Sequence, residues 1–466
     1  MSDSSLSIAK PEESNLLQKL GATFIAIAIL SAFIATFGFG TSHPVLFFWL
    51  IVGLITAGGI IYSIPYFDRI PGINNHGIMH QSINNKGAIA WGIGILMTGF
   101  YCILYWFPHL LYGLIRTMDP LSLILRNKIA DQWFLYGTFY TLAVLIMGVR
   151  FIGKYRHSRY QVIRTFSVMF FQLGFAFLIP AVLVKLNQPE FYFSYFWPLK
   201  YSYLFPDDIS YLTESGNLGI FMVFWGLVMT FIATPVLTYY YGKRWYCSWV
   251  CGCGALAETL GDPFRQHSDK SLKAWKIERW MIYSILAFIS LTTILLWLNS
   301  WKSGTILGTF SGLFSQWYGF FIGSLFSGVI GTGFYPIMGS RVWCRFGCPM
   351  AAILGIIQRF KSRFRITTNG GQCISCGNCS TYCEMGIDVR QYAQKGEHII
   401  RSSCVGCGVC ASVCPRGVLK LENIREESRF VPYTRKEDNV CSKNIRNHPF
   451  SSLYLHLMKV YLLDML

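Results

Sequence analysis

Charge is what this chain has least of. Only 14% of its 466 residues are Asp, Glu, Lys or Arg, against 53% hydrophobic and 17% aromatic. So little charge cannot cover the water-soluble domains that this length would otherwise suggest, and apolar runs of about 20 residues are what a bilayer core demands. Acids are the scarcer sign, 23 against 40 basic residues, for a net charge of +17. That excess lies beside the apolar runs, where the positive-inside rule places it, so no nucleic-acid partner is expected. Charge inside the runs is rarer still, which disfavours an ion or solute transporter. GxGxxG, Walker A and HExxH patterns are absent, so no nucleotide or zinc-peptidase site is expected. The lack of C-x-x-C-H excludes covalent c-type haem. Non-covalent haem needs paired histidines inside a bundle, whereas His43 and His109 fall at helix ends and His76 and His80 in a polar loop, so haem is not expected either. The opening MSDSSLSIAKPEESN mixes acids with lysine, unlike the basic start of a cleaved signal, and is expected to be retained.

Apolar runs, by contrast, are plentiful. Eight candidate spans cover about 16–39, 44–64, 87–107, 132–152, 162–184, 217–241, 280–299 and 307–338, the last long enough to tilt or to break at its glycines. The first two are expected to form a helical hairpin. Eight spans put both termini on one side. The connection 150–164 carries five basic residues, 242–279 carries seven and 341–365 six, whereas 108–131, 185–216 and 300–306 carry three, two and one. Basic loops mark the cytoplasmic side, so the expectation is a multi-pass protein of the cytoplasmic (inner) membrane with both termini inside. Loop 185–216 contains FYFSYFWPLKYSYLFPDD. An interfacial aromatic belt is the expected reading, with a docking or quinone-access surface as the alternative. The tail from Glu422 is charged, and 451–466 is apolar but too short to span.

Cysteine usage carries the chemistry. The runs CISCGNCSTYC (373–383) and CVGCGVCASVCP (404–415) are each C-x2-C-x2-C-x3-C. In such a run three cysteines wrap one cubane cluster and the fourth ligates the other. Cys373, Cys376, Cys379 and Cys414 are therefore assigned to one 4Fe-4S cluster, and Cys404, Cys407, Cys410 and Cys383 to a second. Zinc ribbons use two well-separated C-x2-C pairs, and disulfide lattices belong to small secreted domains, so neither fits. Gly377 and Gly408 allow close approach of backbone N–H groups to sulfur. Pro415 keeps the proline that commonly follows the fourth cysteine, whereas Glu384 replaces it in the first run.

Two further groups flank the last spans: WYCSWVCGCG, with Cys247, Cys251 and Cys253, and WCRFGCPM, with Cys344 and Cys348. Each has a basic and aromatic approach and a small-residue stretch behind it, so they read as an internal repeat at the membrane edge. Brought together, Cys247, Cys251, Cys344 and Cys348 would offer four thiolates for a metal or a dithiol–disulfide relay, with Lys243, Arg244, Arg341 and Arg345 expected to lower their pKa values. The plain alternative is small buried residues at a helix entry.

These motifs, over about residues 162–422, resemble the membrane polyferredoxins typified by the quinol dehydrogenase subunit NapH and the nitrous oxide reductase accessory protein NosR. Cys344, Cys348 and Pro349 match that family's motif; Cys247 and Cys251 match with Gly252 in place of proline, and Cys253 is an extra thiol. The resemblance implies electron relay from a quinol to a periplasmic or membrane redox partner. A cytoplasmic donor at the clusters is the other source. A redox sensor or copper-centre maturation factor of the NosR or CcoG type is the alternative function, and any enzymatic role is at most that of an electron-transfer component. The expected architecture is an α-helical membrane bundle of about eight helices followed by a small α+β ferredoxin-like domain: four helices in 1–153, four in 154–365 with the two C-x3-C motifs, the two-cluster domain in 366–422 and a tail in 423–466.

Overall fold

The computed structural model describes residues 15–68, 86–302, 304, 308, 310–369 and 372–423. His76, His80, Cys441, the opening polar stretch and the tail lie outside them. Ten helices frame the described chain: α1 (Leu16–Ser42), α2 (Pro44–Phe67), α3 (Ala88–Trp106), α4 (Gln132–Tyr155), α5 (Arg159–Lys185), α6 (Asn217–Tyr241), α7 (Gly252–Thr259), α8 (Leu272–Trp301), α9 (Gly312–Gly333) and α10 (Pro349–Phe360). All but α7 and α10 are long and apolar enough to cross a membrane, which makes eight. Local chemistry starts several of them. Asn15 and Gln18 close a capping box on α1, and the Asp131 and Ser271 side chains accept N–H groups at the starts of α4 and α8. The expected hairpin is α1 against α2, where the backbones nearly touch: a Cβ added to Gly21 would stand 2.6 Å from the Gly58 carbonyl oxygen.

Span ends shift by up to three residues in most helices and by more in α8 and α9, where the last run breaks at its glycines as one of its two expected forms. Helix α8 begins at Leu272 rather than near 280, because the Ser271 cap lets the helix run through a basic turn before the apolar stretch. Helix α9 ends at Gly333, and Tyr335–Met338 forms a separate short helix that stops at Gly339, whose φ of 93° suits glycine.

The aromatic loop between α5 and α6 is not a surface belt. Phe191, Phe196, Tyr203, Leu204 and Phe205 are buried, and the loop's polar groups are matched by the bundle. The Trp225 indole donates to the Phe193 carbonyl at 3.0 Å, the Trp297 indole to that of Leu204 at 2.7 Å, and the Tyr203 hydroxyl to that of Met222. Trp197 donates to Thr293 Oγ1 at 3.2 Å while its own carbonyl accepts from Thr230 Oγ1 at 3.2 Å. Threonines in the middle of α6 and α8 thus draw the loop into the protein, since its backbone can be satisfied there.

Beyond α10 the chain forms an antiparallel pair, β1 (Phe364–Thr368) with β2 (Leu419–Asn423), in a register running from Phe364 opposite Asn423 to Thr368 opposite Leu419. Ile399 bridges to Ile366 on the other side of β1. Both cysteine runs lie between the strands. This ferredoxin-like part shares one packed core with the bundle: Ile366, Val405, Cys379, Cys404 and Cys410 pack in the same cluster as Cys247, Cys251, Cys344 and Cys348.

Candidate metal centre

Each cysteine run turns through a left-handed glycine, Gly377 (φ 80°) and Gly408 (φ 73°), into a one-turn helix. Side chains there would be strained, and the tight turn exposes backbone N–H groups to sulfur. The fold gathers the sulfurs into two sets. One cavity is lined by Cys373, Cys376, Cys379 and Cys414, and another by Cys383, Cys404, Cys407 and Cys410. The first opens outward, with Cys376 exposed and Ile374 beside it half uncovered; the second is roofed by the bundle. Tyr160 Oη donates to the Gly406 carbonyl at 2.9 Å, Gln161 Nε2 to that of Cys407 at 2.9 Å and Ser248 Oγ to that of Val405 at 2.8 Å. Gln358 Nε2 reaches the Cys404 carbonyl at 2.7 Å. Burial pushes the Cys404 thiol up to about 11 and Cys407 up to about 12, so as free thiols they stay protonated at neutral pH. Bound iron displaces such protons, and the convergent sulfurs with their N–H groups fit a cubane.

A buried lattice of charge lies against the second set. Glu384, fully buried, receives Arg265 Nη1 at 2.6 Å and Arg341 Nη2 at 3.0 Å. Arg341 also pairs with Glu258 at 2.6 Å, and Glu258 with Arg164. Arg265 continues to Asp262 at 2.8 Å, which accepts from Lys154 at 2.7 Å and Arg150 at 3.2 Å. Burial alone would raise the Asp262 carboxyl, but Lys154, Arg265 and Arg150 outweigh it and hold it well below the usual range. Burial likewise opposes Glu384, and Arg265 with Arg341 overcomes it. Glu258, Glu384 and Cys407 bring ligand atoms within 4.8 Å of one another. Since both carboxylates already hold guanidinium groups, that trio reads as an ion lattice beside a sulfur and not as a cation site. In this lattice five cations, Arg150, Lys154, Arg164, Arg265 and Arg341, are ion-paired with three acids, Asp262, Glu258 and Glu384. Buried charge needs compensation, and an anionic thiolate-ligated cluster at Cys407 would supply it.

The membrane-edge cysteines form a third group. Cys247, Cys251, Cys344 and Cys348 are all buried and belong to one packed cluster, with Cys253 at its margin. The two copies are built alike: Cys251 and Cys348 are the N-cap residues of α7 and α10. Cys348 Sγ accepts the Ala351 N–H at 3.4 Å, and Arg341 Nη1 lies 3.6 Å from Cys344 Sγ. The expected lowering of thiol pKa is overturned for three of the four. Burial pushes Cys247 up to about 12 and raises Cys344 and Cys348, outweighing Lys243 and Arg341 where these act. Arg244 and Arg345 face away, Arg244 over Phe364 and Arg345 to Glu278 at 2.8 Å. Only Cys251 is lowered, first by the hydrogen bond from Cys253 and then by backbone N–H groups of α7. Among the described residues no three cysteine sulfurs lie within 4.8 Å of one another. A single tetrahedral zinc, with bonds of about 2.3 Å, would hold them closer.

Several residues here escape sequence reasoning. Gln161, Ser248 and Gln358 carry no motif, whereas Glu384 stands in the sequence as a missing proline and proves to be an anchor.

Sulfur sets of this kind beside eight membrane-length helices define an iron–sulfur protein of membrane type, and comparison with known proteins agrees. A family described as "4Fe-4S binding domain" matches residues 222–271 and again 318–367, once over each membrane-edge cysteine pair, and a "4Fe-4S dicluster domain" matches 372–418. Among curated proteins, the electron transport candidate YccM of Escherichia coli (strain K12) is 25% identical over 195 residues, covering 36% of this chain. The chain spans about half the length of that relative, 48%. No solved structure matches.

Proposed function

We propose that this chain is an electron relay of the cytoplasmic membrane, taking electrons at the Cys373, Cys376, Cys379, Cys414 cluster and passing them through the Cys383, Cys404, Cys407, Cys410 cluster to the membrane-edge cysteines. From there they leave to a redox partner in the membrane or the periplasm. The observation that carries this is the single packed core joining all three cysteine groups. When bound, the clusters supply one-electron storage whose potential hydrogen bonds, burial and charge tune. The protein's own residues hold the sulfurs, exclude water from the second and third groups, and fix their spacing. The basic loops all lie on the ferredoxin side, which supports a cytoplasmic placement. The exposed Cys376 edge fits a soluble cytoplasmic donor. A quinol would instead have to approach the third group from the bilayer.

The third group is read as an iron–sulfur centre too. The family matched over both pairs supports this, as do the two sulfurs seated at helix N-termini. The test is anaerobic purification with iron and sulfide analysis and EPR. Two cubanes give about eight irons per chain, and a third raises the count to about twelve. Changing Cys348 to Ser should leave the two ferredoxin signals intact and abolish delivery to the membrane-side acceptor; delivery at the parental rate would reduce these cysteines to packing residues.

A further inference from the structure

The loop that folds inward between α5 and α6 ends against the membrane-edge cysteines. We infer that its segment Phe191–Phe205 is the electron exit, carrying electrons from that group to the face opposite the ferredoxin part. This rests on the relay reading above and adds to it a route and a direction.

Depth is the first support. Trp197 is fixed to Thr230, which lies thirteen residues into α6 from Asn217. At 1.5 Å per residue that is about 20 Å along the helix, well into a core of about 30 Å. The segment therefore descends from the Asn217 end of α6, where Tyr203 hydrogen-bonds to Met222 and Trp225 to Phe193, to about the middle of that helix. Contact is the second. Phe196 is buried in the cysteine cluster with its ring 5.3 Å from Tyr246, and the Tyr246 hydroxyl donates to the Ser194 carbonyl at 2.7 Å. The Tyr195 hydroxyl occupies the space a side chain at Gly252 would need, directly beside Cys251 and Cys253. Continuity is the third. The Tyr195 ring lies 5.9 Å from Tyr192, whose hydroxyl donates to Glu190 at 2.6 Å, and Glu190 is exposed in a groove with Lys128 and Gln188.

Electron transfer slows steeply with distance and with gaps in the intervening matter, so a contiguous file of rings packed at interior density is a favourable medium. In each event the cysteine-held centre loses one electron and a one-electron metal-complex or metalloprotein acceptor on the opposite face gains it. No bond forms or breaks, and the rings are not themselves oxidised.

Proteoliposomes with dithionite outside and ferricyanide trapped inside test the route, since neither anion crosses the bilayer and ferrocyanide appears only if electrons do. The double variant Tyr195→Leu, Phe196→Leu keeps the segment apolar and should slow ferrocyanide formation on the order of ten-fold, because the ring packing is lost. Its EPR signals and its bleaching by dithionite in detergent should match the parent. Tyr195→Phe, which keeps both rings, should recover most of the rate. Tyr192→Leu, remote from the cysteines, should also slow transfer and covers the case in which the double variant loses its clusters. Parental rates in both leucine variants would overturn the exit, as would a parent with full cluster signals that passes no electrons. A parent without iron–sulfur signals would overturn the relay reading itself.

Discussion

Glu384 occupies the place where a proline commonly closes the loop, and its carboxylate reaches from the cluster-bearing segment to Arg265 and Arg341 of the bundle. Removing one partner of a buried pair costs about 3–5 kcal/mol because it strands the other charge. Glu384→Gln should therefore lower the unfolding midpoint clearly in detergent, by tryptophan fluorescence, whereas Glu422→Gln at the sheet edge should not. Asp262 gives the acid limb its sign. Its folded pKa is depressed, so its contribution is complete above the ordinary aspartate value near 3.9 and is lost as pH falls further toward the folded value. Asp262→Asn should be less stable than the parent at pH 7, and the gap should narrow on acidification below about pH 4. Cys407→Ser should remove the EPR signal of one cluster and spare the other, which separates the two ligand sets. Sequence spacing anticipates which four cysteines line each of the two cavities, because three of each set are local. The thiol pKa values were not legible: basic neighbours stand out in a sequence, but their direction and the burial that outweighs them are tertiary.

Helices and loops differ in how far their fate can be read. The eight spans are legible because a bilayer sets length and polarity for each one separately. The largest shifts are at the ends of α8 and α9, where a cap and a glycine decide. The aromatic loop was misplaced because Phe, Tyr and Trp suit a belt and an interior equally. What chooses the interior is a set of partners, Thr230, Trp225, Thr293 and Trp297, that lie on other elements. Orientation is checked at this scale: reporter fusions after Gly40, Asp119 and Asp207 should report the periplasm, and those after His157, His267 and Thr368 the cytoplasm.

Across the whole molecule, the ferredoxin-like part is held to the bundle by an apolar core and a charge lattice together. Neither could be read from sequence, since the lattice draws Arg150 and Lys154, Arg164, Glu258 and Arg265, Arg341 and Glu384 from widely separated stretches. The consequence is kinetic. A cluster domain on a tether swings between partners, and its turnover falls as the medium thickens. If electrons follow the relay proposed above, the step from the second cluster to the membrane-edge group should run at the same rate in buffer and in concentrated glycerol, and only docking of a soluble donor should slow. Stopped-flow reduction across a glycerol series would separate the two steps, with Glu384→Gln as the variant that makes the inner step viscosity-dependent.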